Sequence, residues 1–334
     1  MKQYLLKLSR QKIFWPLTVL ALLLVLNLLI DPGFFVIEIK NNHLFGSLID
    51  ILNRSIPLVI ISIGMTLVIA KEGIDISVGS VLAISGATAA AIMEYQNIWL
   101  ALVVALIVGV VCGFWNGLLV SVFEIQPMVA TLILLVVGRG IAQLITGGQI
   151  LTTNNAIYNY IGTGFLFGFP FPIYIGILVF FIMIFLKKRT AMGLFLESIG
   201  NNMTASKFAG IQPKKIILLV YTICGLCAAI AGIIVSANVS SADANNAGLW
   251  IELDAILAVV IGGTSMRGGR YFLAGTVVGA LFIQTLSTTI YSIGVNPQIV
   301  MVVKALVVIL VCLMQSEAFR KIFVNLGKKK VSYT

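Results

Sequence analysis

"IWLALVVALIVGVVCGFWNGLLVS", residues 98–121, runs for twenty-four residues without a charged side chain. As a helix rising about 1.5 Å per residue it would be about 36 Å long, enough to cross about 30 Å of bilayer hydrocarbon. Gly109, Gly113 and Gly117 recur every fourth residue, and Ala105 continues the same face. In lipid no hydrophobic force drives helices together, so association relies on small residues that let backbones approach. The stretch therefore reads as a crossing helix packed closely on a partner.

The same reading extends along the chain. Of the 334 residues 60% are hydrophobic and only 10% charged, and the mean hydropathy is +1.08, far outside the range of soluble domains. Apolar runs define ten spans: Ile13 to Ile30, Ile56 to Ala70, Ser77 to Met93, Ile98 to Ser121, Met128 to Thr146, Phe171 to Leu186, Lys215 to Ser236, Trp250 to Gly263, Tyr271 to Ile290 and Pro297 to Met314. The second and eighth are short for a full crossing and are expected to be bent or tilted. Gly275 and Gly279 repeat the small-residue spacing in the ninth. The expected fold is all-α, a polytopic transmembrane bundle of about ten spans.

Threaded with the N-terminus in the cytoplasm, this arrangement puts eighteen of the twenty-two Lys and Arg residues on the inner side, as the positive-inside rule requires. Lys40 and Arg54 fall outside, and only Arg139 and Lys304 fall within spans. Both termini are then cytoplasmic. The formal net charge of +10 is thus a topology signal. Scattered over several edges and unaccompanied by an aromatic-basic module, it does not indicate nucleic-acid binding. The basic, apolar N-terminus lacks a small-residue cleavage site in "NLLIDPGFF" and reads as a retained first span. Cys112, Cys224, Cys227 and Cys312 all lie within spans and read as small apolar packing residues. With one histidine, His43, and no second cysteine pair, no metal site is expected.

Polar residues at membrane depth are costly and face protein or a watery cavity. Arg139 and Gln143 stand one turn apart on the fifth span, with Asn116, Gln284 and Lys304 in others. Interhelical hydrogen bonding and a lined solute path both explain them. In "KEGIDISVGS", Gly73 and Gly79 flank Asp75, which is read either as a cytoplasmic turn or as a broken transporter helix. Asp243, Asn245, Asn246, Glu252 and Asp254 sit at the outer end of the eighth span, as docking or solute-entry residues or as solvated loop. Carboxylates are otherwise confined to predicted ends and loops, which disfavours an ion-coupled carrier. No GxxxxGK[ST] loop, Ser-His-Asp set or HExxH occurs, so the chain is not expected to bind ATP or act as an enzyme.

The longest inner connection, about residues 187–214, is polar but patterned. Asn202 is placed to cap a short helix from Met203 to Ala209, Gly210 to end it, and Pro213 to open the next span. Such a helix, tied at both ends to spans, suits transmission of a partner's motion.

Five stretches resemble one family. They are "GMTLVIAKEGIDISVGSVLAISGA" (64–87), "GFWNGLLV" (113–120), "IQPMVATLILLVVGRGIAQLITGGQ" (125–149), "ESIGNNMTASKFAGI" (197–211) and "LAVVIGGTSMRGG" (257–269). In this order they resemble the membrane permeases of bacterial ABC sugar importers of the ribose and galactoside type. "LFGSLIDILNRSIP" (44–57) and "GLCAAIAGIIVSANVSSADANNAGLWIELDAILAVVIGG" (225–263) are most similar to its galactofuranose branch. The resemblance implies one permease domain over 1–334 in the bacterial inner membrane, with a cytoplasmic tail at about 315–334. It also implies a second, sister permease chain, a cytoplasmic ATP-binding subunit holding ATP and magnesium, and a periplasmic sugar-binding protein. Glu197, Gly200, Asn202, Lys207, Phe208 and Gly210 would match the family's ATPase-coupling loop, with Ser198 replacing its usual Ala. Asp75, Asn116, Arg139, Gln143 and Gln284 are the candidates for the path. The alternative from another class is an ion-coupled sugar carrier that works without an ATPase.

Overall fold

A computed structural model describes residues 13–40, 43–93, 97–294 and 296–315. The basic N-terminal residues and the tail expected at about 315–334 lie outside these, as does the side chain of Cys312. The described chain is mostly helical, with thirteen helices and three two-stranded ribbons. All ten apolar runs are helices: α1 (Phe14–Ile30), α2 (Ser47–Ala70), α3 (Val78–Met93), α4 (Ile98–Ser121), α5 (Pro127–Thr146), α7 (Phe171–Arg189), α10 (Pro213–Asn238), α11 (Ile251–Ile261), α12 (Leu273–Ser292) and α13 (Pro297–Gln315). Six of them, α2, α4, α5, α7, α10 and α12, are long and apolar enough to cross a membrane, and α1 and α3 are shorter apolar helices.

Local chemistry sets many of the ends. Asn97 caps α4 by accepting from the Leu100 amide at 3.1 Å. Pro127 and Pro213 open α5 and α10 at positions where no amide hydrogen bond is lost, and the left-handed Gly147 closes α5.

Two expected spans need correction. The second is not short, because α2 runs back through Pro57 to Ser47 and gains a full-length helix. Neighbouring helices and side chains tolerate a proline within a membrane helix. The eighth is shorter than expected: α11 has only eleven residues and starts after a non-helical segment at 239–250.

The bundle is built around α2 and α10. Every residue of α2 from Leu58 to Ala70 is buried. The glycine face of α4 meets α10, where a Cβ on Gly225 would lie 2.8 Å from the Gly113 Cα and one on Gly117 2.9 Å from the Leu218 carbonyl oxygen. Gly64 of α2 packs on Cys224 and Cys227, where a Cβ would fall 3.1 Å from the Cys224 Cα. Both thiols are buried and unbridged. Gly275 and Gly279 of α12 lie against Gly262 and Ala258 at the end of α11. The four-residue registers seen in the sequence are therefore packing seams.

Short elements tie the connections together. Strands β1 (Glu38–Lys40) and β2 (His43–Phe45) form one ribbon before α2. Strand β3 (Leu151–Thr152), after α5, pairs antiparallel with β6 (Ser241–Ala242), after α10. A third ribbon, β4 (Phe165–Leu166) with β5 (Phe169–Pro170), leads into α7. Between β3 and β4, α6 (Ala156–Thr163) docks on the end of α10, where Asn238 donates to the Gly162 carbonyl at 2.9 Å.

Candidate functional site

Between α2 and α3, the "KEGIDISVGS" stretch leaves residues 71–77 non-helical and largely packed against the bundle. Lys71 ends α2, Glu72 takes a left-handed φ of 69° and α3 starts only at Val78. Asp75 is 1% exposed. Its Oδ1 accepts from the Ser77 amide at 3.0 Å and the Ser77 hydroxyl at 2.6 Å. Asn116 of α4 donates to Ser77 Oγ at 2.8 Å, and Thr131 of α5 accepts from the Ile76 amide at 3.3 Å. Buried backbone polar groups have to be satisfied by protein, and Thr131 of α5 does so for Ile76 while Asn116 of α4 holds the Ser77 side chain. The Lys71 ammonium lies 4.7 Å from the centroid of the Tyr221 ring. The Asn116 Oδ1 and the Tyr221 hydroxyl remain buried without a hydrogen-bond partner.

The segment at 239–250 is the second break. Asp243 organises its turn, accepting from the amides of Asn245 at 2.9 Å and Asn246 at 3.3 Å and from the Asn246 side chain at 2.7 Å. From α5, Arg139 donates to the carbonyls of Ala244 at 3.0 Å and Ala247 at 2.7 Å. One turn later Gln143 donates to Asn245 Oδ1 at 2.7 Å. Two of the candidate path residues thus hold this segment in place.

The two breaks meet. A Cβ on Gly79, in the first turn of α3, would fall 2.5 Å from both Glu252 Oε2 and the Gly248 carbonyl oxygen. Glu252, in the first turn of α11, is nearly buried. Its carboxylate thus lies beside the starts of two helices, whose exposed amides and dipoles favour negative charge. Asp254, on the same first turn, forms an ion pair with Lys304 of α13 at 2.8 Å. Gln284 stands apart: among the described residues it reaches Thr288 on its own helix at 3.5 Å.

The connection expected at about 187–214 is largely helical. α7 continues to Arg189, and Thr190 caps α8 (Ala191–Asn201), a helix that sequence reading missed. Asn202 then caps α9 (Met203–Phe208) by accepting from the Ala205 amide at 2.9 Å. Gly210 follows with a left-handed φ of 82°. Together α8 and α9 form a ledge with Phe208, 89% exposed, at its tip beside the exposed Lys207. Glu197 fixes the ledge to the bundle through Lys187 at 3.3 Å, and Lys187 also donates to the Tyr271 carbonyl.

Gly200 makes the closest approach. A Cβ there would run into the Ala70 carbonyl oxygen and the Gly269 amide, which are themselves hydrogen-bonded at 2.8 Å. The ledge therefore rests on the last residue of α2, immediately before the buried break. Ala70, Lys71, Ser77, Tyr221 and Gly269 were not picked out by sequence reading. The only available signal was that Ala70 to Ser77 and Gly269 fall within the long matching motifs.

The chain matches the family model described as "Branched-chain amino acid transport system / permease component" over residues 47–312. It is 49% identical over 316 residues to the galactofuranose transporter permease protein YtfT of Escherichia coli (strain K12), covering 93% of each chain. It is 39% identical to the fructose import permease protein FruF of Bifidobacterium longum (strain NCC 2705), over 97% of this chain and 93% of that one. It is also 36% identical to the ribose import permease protein RbsC of Haemophilus influenzae, over 88% and 90%. No solved structure is a significant match.

Proposed function

Because the chain belongs to this family of transport permease components, we propose that it is the permease of an ATP-driven importer that carries galactofuranose across a bacterial inner membrane. The sugar is taken from the relative of that name. The reading treats 1–334 as one permease domain crossing the membrane ten times, with both termini in the cytoplasm. In it, segment 239–250 and α11 together make one crossing. A sister permease chain completes the path, a periplasmic sugar-binding protein delivers the sugar, and a cytoplasmic subunit holds ATP and magnesium.

One observation carries this reading: the ledge seats Gly200 on Ala70, where α2 breaks. ATP-driven closure of the partner would push on Lys207 and Phe208, and the ledge would pass that displacement through Gly200, Glu197 and Lys187 to the break. Packed seams move between discrete arrangements rather than deforming continuously. A shift of Ala70 would therefore carry the Asp75 turn and, through Gly79, the Glu252 end of α11. Asp243, Asn245 and Asn246 form the entry side of this route, and Arg139 and Gln143 steady it.

The test is uptake by proteoliposomes holding this chain with its sister permease, ATPase and binding protein, offered galactofuranose, ribose, fructose or galactose with and without hydrolysable ATP. Galactofuranose uptake that requires ATP is expected. Uptake that proceeds without the ATPase on a proton or sodium gradient would overturn the assignment and favour an ion-coupled carrier. ATP-driven uptake of another sugar would overturn the substrate alone.

A further inference from the structure

A cavity of about 350 Å³ lies beneath the ledge, between the start of the break, the α4–α5 connection, α9 and the start of α10. Its wall includes Lys71, Ser121, Lys207 and Lys214. Lys71 is 6% exposed, and among the described residues its ammonium lies 4.7 Å from the centroid of the Tyr221 ring. The Asp75 carboxylate attracts its ammonium. The Ser121 hydroxyl is also buried and unpartnered. Pro213 and Lys214 bring the first turn of α10, which no side chain caps, so amides of a twenty-six-residue helix stay unused there.

The carboxylates around the cavity answer these donors only in part, Asp75 attracting Lys71 by its charge. Glu72 and Glu124 line the rim and are exposed, and Glu124 is engaged by Lys214 at 3.3 Å. The lining thus carries more donors than these carboxylates engage: an ammonium, a hydroxyl and a helix start, with Lys207 on the ledge side. A compact group with several acceptor oxygens and negative charge fits that set.

We propose that this cavity binds a phosphate group. The group is carried either by a small soluble anion, such as inorganic phosphate or a phosphorylated sugar, or by a lipid headgroup reaching in from the adjoining bilayer. An occupant would bridge Lys207 of α9 and Lys71 at the break, tying the ledge to the hinge on which it rests. The proposal does not depend on which sugar is carried, and its test involves no transport.

The experiment measures equilibrium binding of radiolabelled inorganic phosphate, and the shift of the unfolding midpoint, for the full chain in phosphatidylcholine nanodiscs. A parallel set of discs contains phosphatidylglycerol and no phosphate. Lys71→Met removes the buried ammonium, Lys207→Ala removes an exposed one without threatening the fold, and Lys40→Ala on β1 is the control. Saturable phosphate binding that falls at least tenfold in Lys71→Met and severalfold in Lys207→Ala, but not in Lys40→Ala, supports a soluble anion. Stabilisation by phosphatidylglycerol that both variants abolish supports a headgroup. Absence of both effects, or wild-type behaviour in Lys207→Ala, overturns the proposal.

Discussion

Replacing Lys304 by Met tests whether an ion pair inside the bundle fixes the short helix that follows the second break. Lys304 Nζ lies 2.8 Å from one oxygen of Asp254 and 3.1 Å from the other, and the two side chains are only 17% and 25% exposed. At an effective dielectric of about 20, unit charges about 4 Å apart attract by about 4 kcal/mol. Removing one partner of a buried pair costs about 3–5 kcal/mol, mostly because the remaining charge stays buried without compensation. Residual exposure of both groups lowers the expected cost of Lys304→Met to about 2–4 kcal/mol. α11 starts at Trp250 without a side-chain cap, so few other polar contacts replace the loss. Asp254→Leu should cost a similar amount, whereas the double variant should recover most of it, because an apolar pair of similar volume has no charge to desolvate. The assay is reversible unfolding of the four proteins in mixed micelles, read as a double-mutant cycle. A coupling energy of at least about 2 kcal/mol is expected. Strictly additive single effects, or single effects below about 0.5 kcal/mol, would refute the claim that this pair anchors α11.

Other substitutions probe the remaining links. Gly200→Ala places a methyl against the Ala70 carbonyl and the Gly269 amide, both backbone atoms that cannot step aside. ATP-driven uptake should fall at least about tenfold while the partner's ATP hydrolysis persists, a loss of coupling that parallel uptake and hydrolysis assays would reveal. Phe208→Ala should leave unfolding unchanged, since the ring is 89% exposed, yet weaken ATPase association by about 2 kcal/mol if it is an interface anchor, as titration of the purified subunits would measure. Gly113→Leu drives a side chain into the Tyr221 carbonyl and the Thr222 Cα of α10 and should destabilise the bundle by about 3 kcal/mol or more in an unfolding titration. Arg139→Met leaves the Ala244 and Ala247 carbonyls without their donor, so protease cleavage within 239–250 should accelerate, reflecting about 2–4 kcal/mol of lost local stability.

Residue type and spacing alone determined much of this protein. Uncharged runs such as 98–121 had to become helices, because a backbone in lipid satisfies its polar groups within the helix itself. The four-residue glycine register marked the α4–α10 and α11–α12 seams, because only a missing Cβ allows backbones that close. Asn202, Gly210 and Pro213 fixed α9 and the start of α10 through local capping chemistry. Tertiary structure alone decided what lies far apart in sequence. Thr190 and α8 were hidden because a cap next to a charged helix end gives little periodic signal. That residues 71–77 pack against the bundle depended on Asn116 and Thr131, which come from other helices to hold Ser77 and the Ile76 amide. The approach of Gly79 to Glu252, of Lys304 to Asp254 and of Gly200 to Ala70 likewise depends on how helices pack. A hydropathy pattern specifies which segments enter the membrane, but the partners of a buried polar group follow from the packing of side chains in three dimensions.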